Sequence, residues 1–301
     1  MKIAILTVFW ETNTENYFLR FFNSVEKLRS IKKNQLDISI YLLDNSKHPR
    51  LNKYLRNNKI TINKINVIES NITGFAPANN FLADLAWQAE KYNYFLFLNP
   101  DTEIDENALE EMLKQMTSEN NVFCVDAHQF PLEHPKWYDP ITGNTSWCSG
   151  ACLLVRSKEF MQWKGFRNDF IIYAEDVDLS WRAWEHNYIC KHSETARCVH
   201  HFYGPSKNQL FRQYWNIRNG ILMRKIHGTN LDLLVYIRYL MVTGYNLLCR
   251  LQINEARNIF KAMSNGLYKA ISVSKIGEDN RKIRPKYAQF FNNEYAYHRE
   301  L

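Results

Sequence analysis

No C-x-x-C pair occurs in this 301-residue chain; its six cysteines lie scattered at 124, 148, 152, 190, 198 and 249. Cys148 and Cys152 are separated by three residues, but no matching His/Cys pair completes a zinc site. All six read as reduced thiols, which points to a reducing compartment and a cytoplasmic protein. The first residues, MKIAILTVFWETN, lack the basic start, longer apolar region and small-residue cleavage site of a signal peptide. They read instead as a buried first strand. Also lacking is an uninterrupted apolar run of the roughly 20 residues that a membrane span needs. Leu231 to Leu248 comes nearest, and Asp232 and Arg238 interrupt it. It reads as an amphipathic helix packed on the domain or lying on a membrane surface. No repeat and no low-complexity block appears.

Hydrophobic residues make up 46% of the chain and aromatics 14%, enough for a sizeable core and against global disorder. The length suits one large α/β domain, or one domain with a helical appendage. A formal net charge of +7 favours anionic partners: nucleotide diphosphates, anionic lipid or nucleic acid. The basic residues are dispersed and no finger or basic-helix motif occurs, which disfavours nucleic acid.

Strand and helix patterns alternate along the first third. KIAILTVFW (2–10), DISIYLLDNS (37–46), KINVIES (64–70) and YNYFLFL (92–98) read as strands; about 15–31 and 76–91 read as helices. That alternation predicts a right-handed, doubly wound parallel sheet. Ligands of such sheets bind outside the carboxyl ends of the strands, where the polar groups at 44–46, 71–74 and 99–101 sit. Further along, 106–116 and 176–188 read as helices, and 122–127, 152–156 and about 189–199 as strands. An irregular loop spans 128–147, and 207–272 is helical and aromatic-rich. These patterns divide the chain into an α/β domain over 1–206, a helical region over 207–275 and a basic tail over 276–301.

Four segments carry chemistry. In FLFLNPDTEI (95–104), a strand delivers Asn99 and Asp101 to one edge, where two oxygen-bearing side chains suit a hard Mg²⁺ or Mn²⁺ ion; a turn capping the next helix explains the spacing equally well. In FIIYAEDVDLSWR (170–182), Glu175, Asp176 and Asp178 crowd three carboxylates at a helix start. Such clusters raise one another's pKa and suit a general base, although a helix N-terminus also favours acids. In VHHFYGPS (199–206), two histidines follow a strand, and a neutral imidazole can ligate a metal. In QYWNIRNG (213–220), Arg218 can pair with phosphate oxygens or serve as a helix-surface arginine.

Taken in order, these motifs resemble the family-2 nucleotide-sugar glycosyltransferases with the GT-A fold, and most nearly a bacterial rhamnosyltransferase-like branch that builds cell-surface polysaccharide. The resemblance runs from about residue 2 to 227, and more loosely to 275. LLDNS is similar to the family's strand-end Asp segment, NITGFAPANN to its N-x-GFAGGNN segment, and FLNPDTEI to its Asp-x-Asp site. SGACLLVRSKEF and GFRNDFIIYAEDVDLSWRA resemble the acceptor-side strand and catalytic Glu-Asp segment. HFYGPS resembles the H-x-x-G-x-S motif and selects His201 over His200.

The resemblance implies a Rossmann-like, mainly parallel sheet flanked by helices, with a C-terminal helical extension. It implies donor contacts from Thr7, Asp44, Asn45, Asn71, Gly74, Phe75, Asn99 and Arg218, and a divalent Mn²⁺ or Mg²⁺ on Asp101 and His201. Asp176 is implied as the base, with Glu175 beside it. The implied reaction is an inverting transfer of a single sugar from a UDP- or dTDP-linked donor to a saccharide or lipid-linked saccharide. Acceptor contacts fall to Ser149 and Gly150, and the loop reading adds Trp137 and Trp147 for stacking on sugar rings. The sequence departs from the pattern at Asn99, which replaces the first Asp, and at Pro77 and Ala78, which replace a glycine pair. It lacks the Q-x-x-R-W of processive synthases, which favours single-sugar addition.

The sequence disfavours two other functions. A sugar-nucleotide pyrophosphorylase needs a Gly-rich, basic loop after strand one, where this chain has FWETNTEN. A binding-only protein of the same fold would not need the Glu175–Asp176 pair. The helices of 207–272 carry Arg238, Arg250, Arg257, Lys261 and Lys269 beside Tyr, Trp, Leu and Ile. They can dock on the inner face of an anionic membrane, cover the sheet, or form a homo-oligomer interface.

Overall fold

A computed structural model describes residues 1–11, 15–31, 36–58, 60, 64–201, 209–277, 284, 285, 288 and 290. In chain order the strands are β1 (Lys2–Trp10), β2 (Asp37–Asn45), β3 (Ile65–Glu69), β4 (Tyr94–Leu98), β5 (Thr102–Ile104), β6 (Val122–Phe130), β7 (Cys152–Arg156) and β8 (Ile189–His200). The helices are α1 (Glu15–Ile31), α2 (Leu51–Asn57), α3 (Phe75–Ala89), α4 (Ala108–Ser118), α5 (Ser157–Gln162), α6 (Glu175–Glu185), α7 (Gln209–His227), α8 (Asn230–Cys249) and α9 (Ile253–Ile271).

The strands form one sheet in the order β3-β2-β1-β4-β7-β6-β8-β5. β1 lies parallel to β2 and β4, and β2 to β3. These four strands are parallel throughout, as the alternation in the first third predicts, and the exceptions in the mainly parallel sheet come later in the chain. β7 runs antiparallel to both β4 and β6, and β5 antiparallel to β8. The reversal has a chemical consequence: the residues entering β7 meet the residues leaving β4, with Cys152 opposite Leu98. β6 and β8 run parallel, so their carboxyl ends join the same edge.

The continuous apolar run of β1 follows from burial on both faces. Ala4, Leu6 and Val8 belong to one core cluster, whereas Ile3, Ile5 and Phe9 belong to the other. The first of these clusters continues into the C-terminal helices through Ile217, Ile221, Leu222, Leu240 and Ile259. Helices α7, α8 and α9 are thus packed on the sheet domain. Among the described residues no helix is long and apolar enough to cross a membrane. All six cysteines are free, and only Cys249 is exposed. Most of the basic tail lies outside the described residues.

Candidate active site

The carboxyl edge of β1, β2 and β4 gathers the residues expected to bind a donor. Thr7 is fully buried, and its hydroxyl has no hydrogen-bond partner in the fold. Asp44 and Asn45, at the end of β2, hold the surrounding chain. Oδ2 of Asp44 accepts the N–H groups of Arg50 (2.6 Å) and Leu51 (2.8 Å), which fixes the start of α2. Asn45 donates to the carbonyl of Ile72 (2.6 Å) and accepts its N–H (2.7 Å). Both ends of the amide are thereby used, and Asn45 sets the position of the Asn71–Phe75 segment.

Gly74 adopts φ +104°, and a Cβ there would lie 2.5 Å from Ile171 Cγ2 and 2.7 Å from the Ile171 carbonyl oxygen. The next N–H, of Phe75, donates to that carbonyl at 2.7 Å. The loop after β3 therefore touches the loop before α6. Asn80 makes the second tie between these regions: it donates to the Phe166 carbonyl (2.7 Å) and accepts the Phe166 N–H (2.9 Å). Pro77 falls in the first turn of α3, where a missing N–H costs nothing.

Glu175 and Asp176 open α6, preceded by Tyr173 (φ 66°) and Ala174 (φ 69°) in left-handed backbone. Such conformations cost free energy for non-glycine residues and persist only where neighbours enforce them. The neighbour is α7. Asn219 Nδ2 donates to the carbonyls of Ile172 and Tyr173, both at 2.7 Å. Arg218 donates to the Asp169 carbonyl and to Asn219 Oδ1, also at 2.7 Å. Arg218 is buried rather than a helix-surface arginine, and burial lowers its pKa. In this arrangement its guanidinium shapes the 169–173 turn. Asn219, which the sequence reading missed, does the same work.

The three carboxylates of the Glu-Asp segment have different environments. Burial, and then the charge of Asp176, push the Glu175 carboxyl well above its usual range, and Glu175 Oε2 has no hydrogen-bond partner. Burial also raises Asp176, against the opposing N–H bonds from Gly150 to Oδ2 (2.9 Å) and Val177 to Oδ1 (2.8 Å). Asp178 departs from the expected mutual elevation. Against the cost of burial, Arg182 (2.8 Å) and His227 (2.9 Å) hold it below the ordinary aspartate range. It is held as a packing group, which leaves Glu175 and Asp176 as the two carboxyls with raised pKa.

Asp101, just past β4, lies beside the end of β8. Its backbone carbonyl accepts the His201 N–H at 2.8 Å. The ring that approaches its carboxylate is that of His200, with Nε2 3.4 Å from Oδ1. His201 instead turns its ring toward Glu103 and Arg20: Nε2 donates to Glu103, and Nδ1 accepts from Arg20 at 3.0 Å. His201 thus meets Asp101 through its backbone, and His200, the last residue of β8, meets it through its ring. The Gly-Pro-Ser part of that motif lies outside the described residues. Asn99 holds the β4 exit by backbone bonds, its N–H donating to Ala151 (2.9 Å) and its carbonyl accepting from Thr102 (3.1 Å).

On the β7 side, Ser149 is buried and its N–H donates to Asp126 Oδ2 at 2.7 Å. Gly150 sits between Phe75 and Asp176, which lie 3.7 and 3.6 Å from where its Cβ would be. Trp137 and Trp147 are half-buried. Lys136 Nζ lies 5.5 Å from the Trp147 ring centre and is paired with the buried Asp126. The structure thus brings Gly150, Phe75, Glu175 and Asp176 together.

A sequence profile described as glycosyl transferase family 2 matches residues 4–173. The chain belongs to that family. Among curated proteins it is similar to the rhamnosyltransferase WbbL of Escherichia coli, at 27% identity over an alignment covering 39% of this chain and 57% of the relative. It is also similar to an N-acetylglucosaminyl-diphospho-decaprenol L-rhamnosyltransferase of Mycobacterium tuberculosis, at 36% identity over 21% of this chain and 20% of the relative. These relatives mark the rhamnosyltransferase-like branch, although the chain spans only 57% and 20% of their lengths.

The GT-A fold is shared with the mannosyltransferase PcManGT of Pyrobaculum calidifontis, solved with GDP-Man and Mn²⁺. The TM-score is 0.59 at 11% identity, over 88% of this chain and 87% of that one. It is shared also with GalNAc-T7, solved with UDP, GalNAc and Mn²⁺. There the TM-score is 0.54 at 13% identity, over 73% of this chain and 50% of that one. Glycosyl transfer is the function of this family. The matched segment ends at residue 173, two positions before Glu175.

Proposed function

We propose that the protein is an inverting glycosyltransferase that passes one sugar from a UDP- or dTDP-linked donor to a hydroxyl of a cell-surface glycan or lipid-linked saccharide. The observation that carries this reading is the pair of elevated carboxyls, Glu175 and Asp176, beside a sheet edge that offers the buried, unpartnered hydroxyl of Thr7. A base with a raised pKa is matched to taking a proton near neutral pH.

In the proposed step, Asp176 takes the proton of the acceptor hydroxyl while that oxygen attacks the anomeric carbon in line. The bond from that carbon to the diphosphate oxygen breaks, and nucleoside diphosphate leaves with the electron pair. A single displacement inverts the anomeric configuration. Glu175 contacts donor or acceptor from beside the base. Trp137, Trp147 and the Ser149–Gly150 turn face the acceptor sugar.

Asp101 and His200 fit a divalent ion by chemistry: an exposed-edge carboxylate with an imidazole 3.4 Å away, a spacing suited to ligands sharing one ion. They would hold Mn²⁺ or Mg²⁺, which supplies charge against the departing diphosphate. The two neighbours solved with Mn²⁺ support that assignment. The relative named for a decaprenol-linked substrate supports a lipid-linked acceptor and a peripheral place at the inner face of the cytoplasmic membrane.

The test is nucleoside diphosphate release from a panel of UDP-, dTDP- and GDP-sugars with a lipid-linked saccharide acceptor, with Mn²⁺ or with EDTA. Release from one donor should vanish with EDTA and in Asp176→Asn and Asp101→Ala. His200→Ala should lose more Mn²⁺ affinity than His201→Ala. Failure of the chain to bind any nucleotide in the presence of Mn²⁺ would overturn the reading.

A further inference from the structure

Away from the donor edge, two histidines and a glutamate point their ligand atoms at one place. His128 lies on β6, His192 on β8, and Glu133 on the loop between β6 and β7. His128 Nδ1 is 3.3 Å from His192 Nε2 and 3.5 Å from Glu133 Oε2. Ligands on a tetrahedral zinc, at about 2.0–2.1 Å from the metal, are separated by about 3.3 Å. Two ring nitrogens at that separation with a carboxylate oxygen beside them reproduce three corners of such a site. Among the described residues, this is the one group of three His, Cys, Asp or Glu ligands so arranged.

The groups behind these ligands are also those of a metal site. His192 is fully buried, and its other nitrogen, Nδ1, is 2.9 Å from Asp126 Oδ1. A carboxylate behind a ligating imidazole fixes the tautomer and leaves the Nε2 lone pair free for a metal. Glu133 is oriented by backbone N–H groups, Gln129 to Oε2 (2.7 Å) and His134 to Oε1 (2.8 Å). Lys136 is 3.8 Å from Glu133 Oε1 and is balanced by its pairing with Asp126.

We propose that His128, Glu133 and His192 form a zinc site, distinct from the Asp101 edge, that fastens the 128–147 loop to the sheet. The imidazole-rich donor set selects zinc over Mg²⁺ or Mn²⁺, which favour oxygen ligands. With three protein ligands, water takes the fourth position. The ion would join β6, β8 and the loop, and so order the Trp137–Trp147 face. This inference does not rest on the proposed transfer reaction.

The test uses the full chain, stripped with a chelator and titrated with Zn²⁺ against a chromophoric competitor. Cobalt(II) substitution reads the coordination geometry. His128→Gln and Glu133→Gln sit at the rim of the cluster and spare the buried His192–Asp126 pair; circular dichroism checks their folding. One equivalent of zinc should bind, with both variants weakening it about 10-fold or more and losing the zinc-induced rise in Tm. The cobalt form should show four-coordinate visible bands without thiolate charge transfer. Asp101→Ala should leave zinc affinity unchanged. Equal affinity in wild type and His128→Gln, thiolate charge transfer, or loss of binding in Asp101→Ala would each overturn the site and leave the two rings as a simple hydrogen-bonded pair.

Discussion

The Gly150 N–H donates to Asp176 Oδ2 over 2.9 Å, so the turn that enters β7 aims the carboxylate that opens α6. A position without a side chain lets the backbone approach from one side and leaves the other open to an acceptor. If Asp176 is the base, Asp176→Asn keeps this bond and removes the chemistry. Turnover should fall by about 10²- to 10⁴-fold, the usual worth of general base catalysis, with little change in donor Kd. Single-turnover kinetics with a nucleotide-binding titration separate the two quantities.

The raised carboxyls predict opposite pH trends for rate and stability. As the proposed base, Asp176 would have to lose its proton to act, so the acid limb of kcat/KM should lie above the roughly 3.9–4.3 of free carboxyls. Stability runs the other way. A carboxyl whose folded pKa is raised holds its proton better in the fold than in the unfolded chain. Its contribution is complete below the unfolded pKa and is lost as pH rises toward the folded one. Glu175 is buried, raised and unpartnered at Oε2. Glu175→Gln should therefore raise Tm more at pH 8 than at pH 4, while lowering turnover. Thermal melts across pH check this, and an unchanged pH dependence of Tm would refute it.

Gly74 tests the contact between the two loops. Alanine there meets Ile171 within 2.7 Å and must hold φ +104°. The cost should be about 1–3 kcal/mol of stability. Because Phe75 moves with it, nucleotide affinity should fall as well. Chemical denaturation and a nucleotide titration on Gly74→Ala measure both.

His227 joins α7 to α6, the helix that Glu175 and Asp176 open. Its ring lies between Asp178 Oδ1 (2.9 Å) and Glu185 Oε1 (3.0 Å), fully buried, with Arg284 3.1 Å from the same Glu185 oxygen. His227→Ala leaves buried carboxylate oxygens without that partner, which costs about 3–5 kcal/mol. Denaturant unfolding should show this loss. His227→Gln, which keeps one donor, should lose less.

What the sequence made legible follows from where the information resides. β1, β4 and β7 are two-sided core strands, so their apolar runs mark them without a partner. β5 is three residues with Glu103 at its centre, and it exists because Cys198–His200 pairs with it. α2 begins where Asp44 caps it from another element, and local spacing carries no trace of that. At the site, the Glu-Asp pair and the glycine segment stand out by composition. The burial of Arg218, the part played by Asn219 and the choice between His200 and His201 depend on which face a residue presents to distant chain. A motif does not encode that.

The last prediction concerns α8. Leu231, Leu234, Tyr239 and Tyr245 are 69, 63, 60 and 65% exposed, with Val235, Met241, Val242 and Leu248 also exposed. Their spacing returns every three or four residues, so they share a face of the helix. Exposed Arg238, Arg250, Arg257 and Lys261 accompany them, while Asp232 is taken up by the N-terminal cap at Thr229. An apolar face bordered by cations complements an anionic lipid surface, at about 1 kcal/mol per basic residue near it. Sedimentation with phosphatidylglycerol vesicles should carry the protein down, and with neutral vesicles much less. The double variant Arg238→Glu, Arg250→Glu should weaken partitioning by about 10-fold or more, and high salt should do the same. Leu234→Asp should weaken it irrespective of salt. Equal sedimentation with both vesicle types would show that this face serves another purpose, and a concentration-dependent doubling of mass, abolished by Leu234→Asp, would assign it to a second copy of the chain.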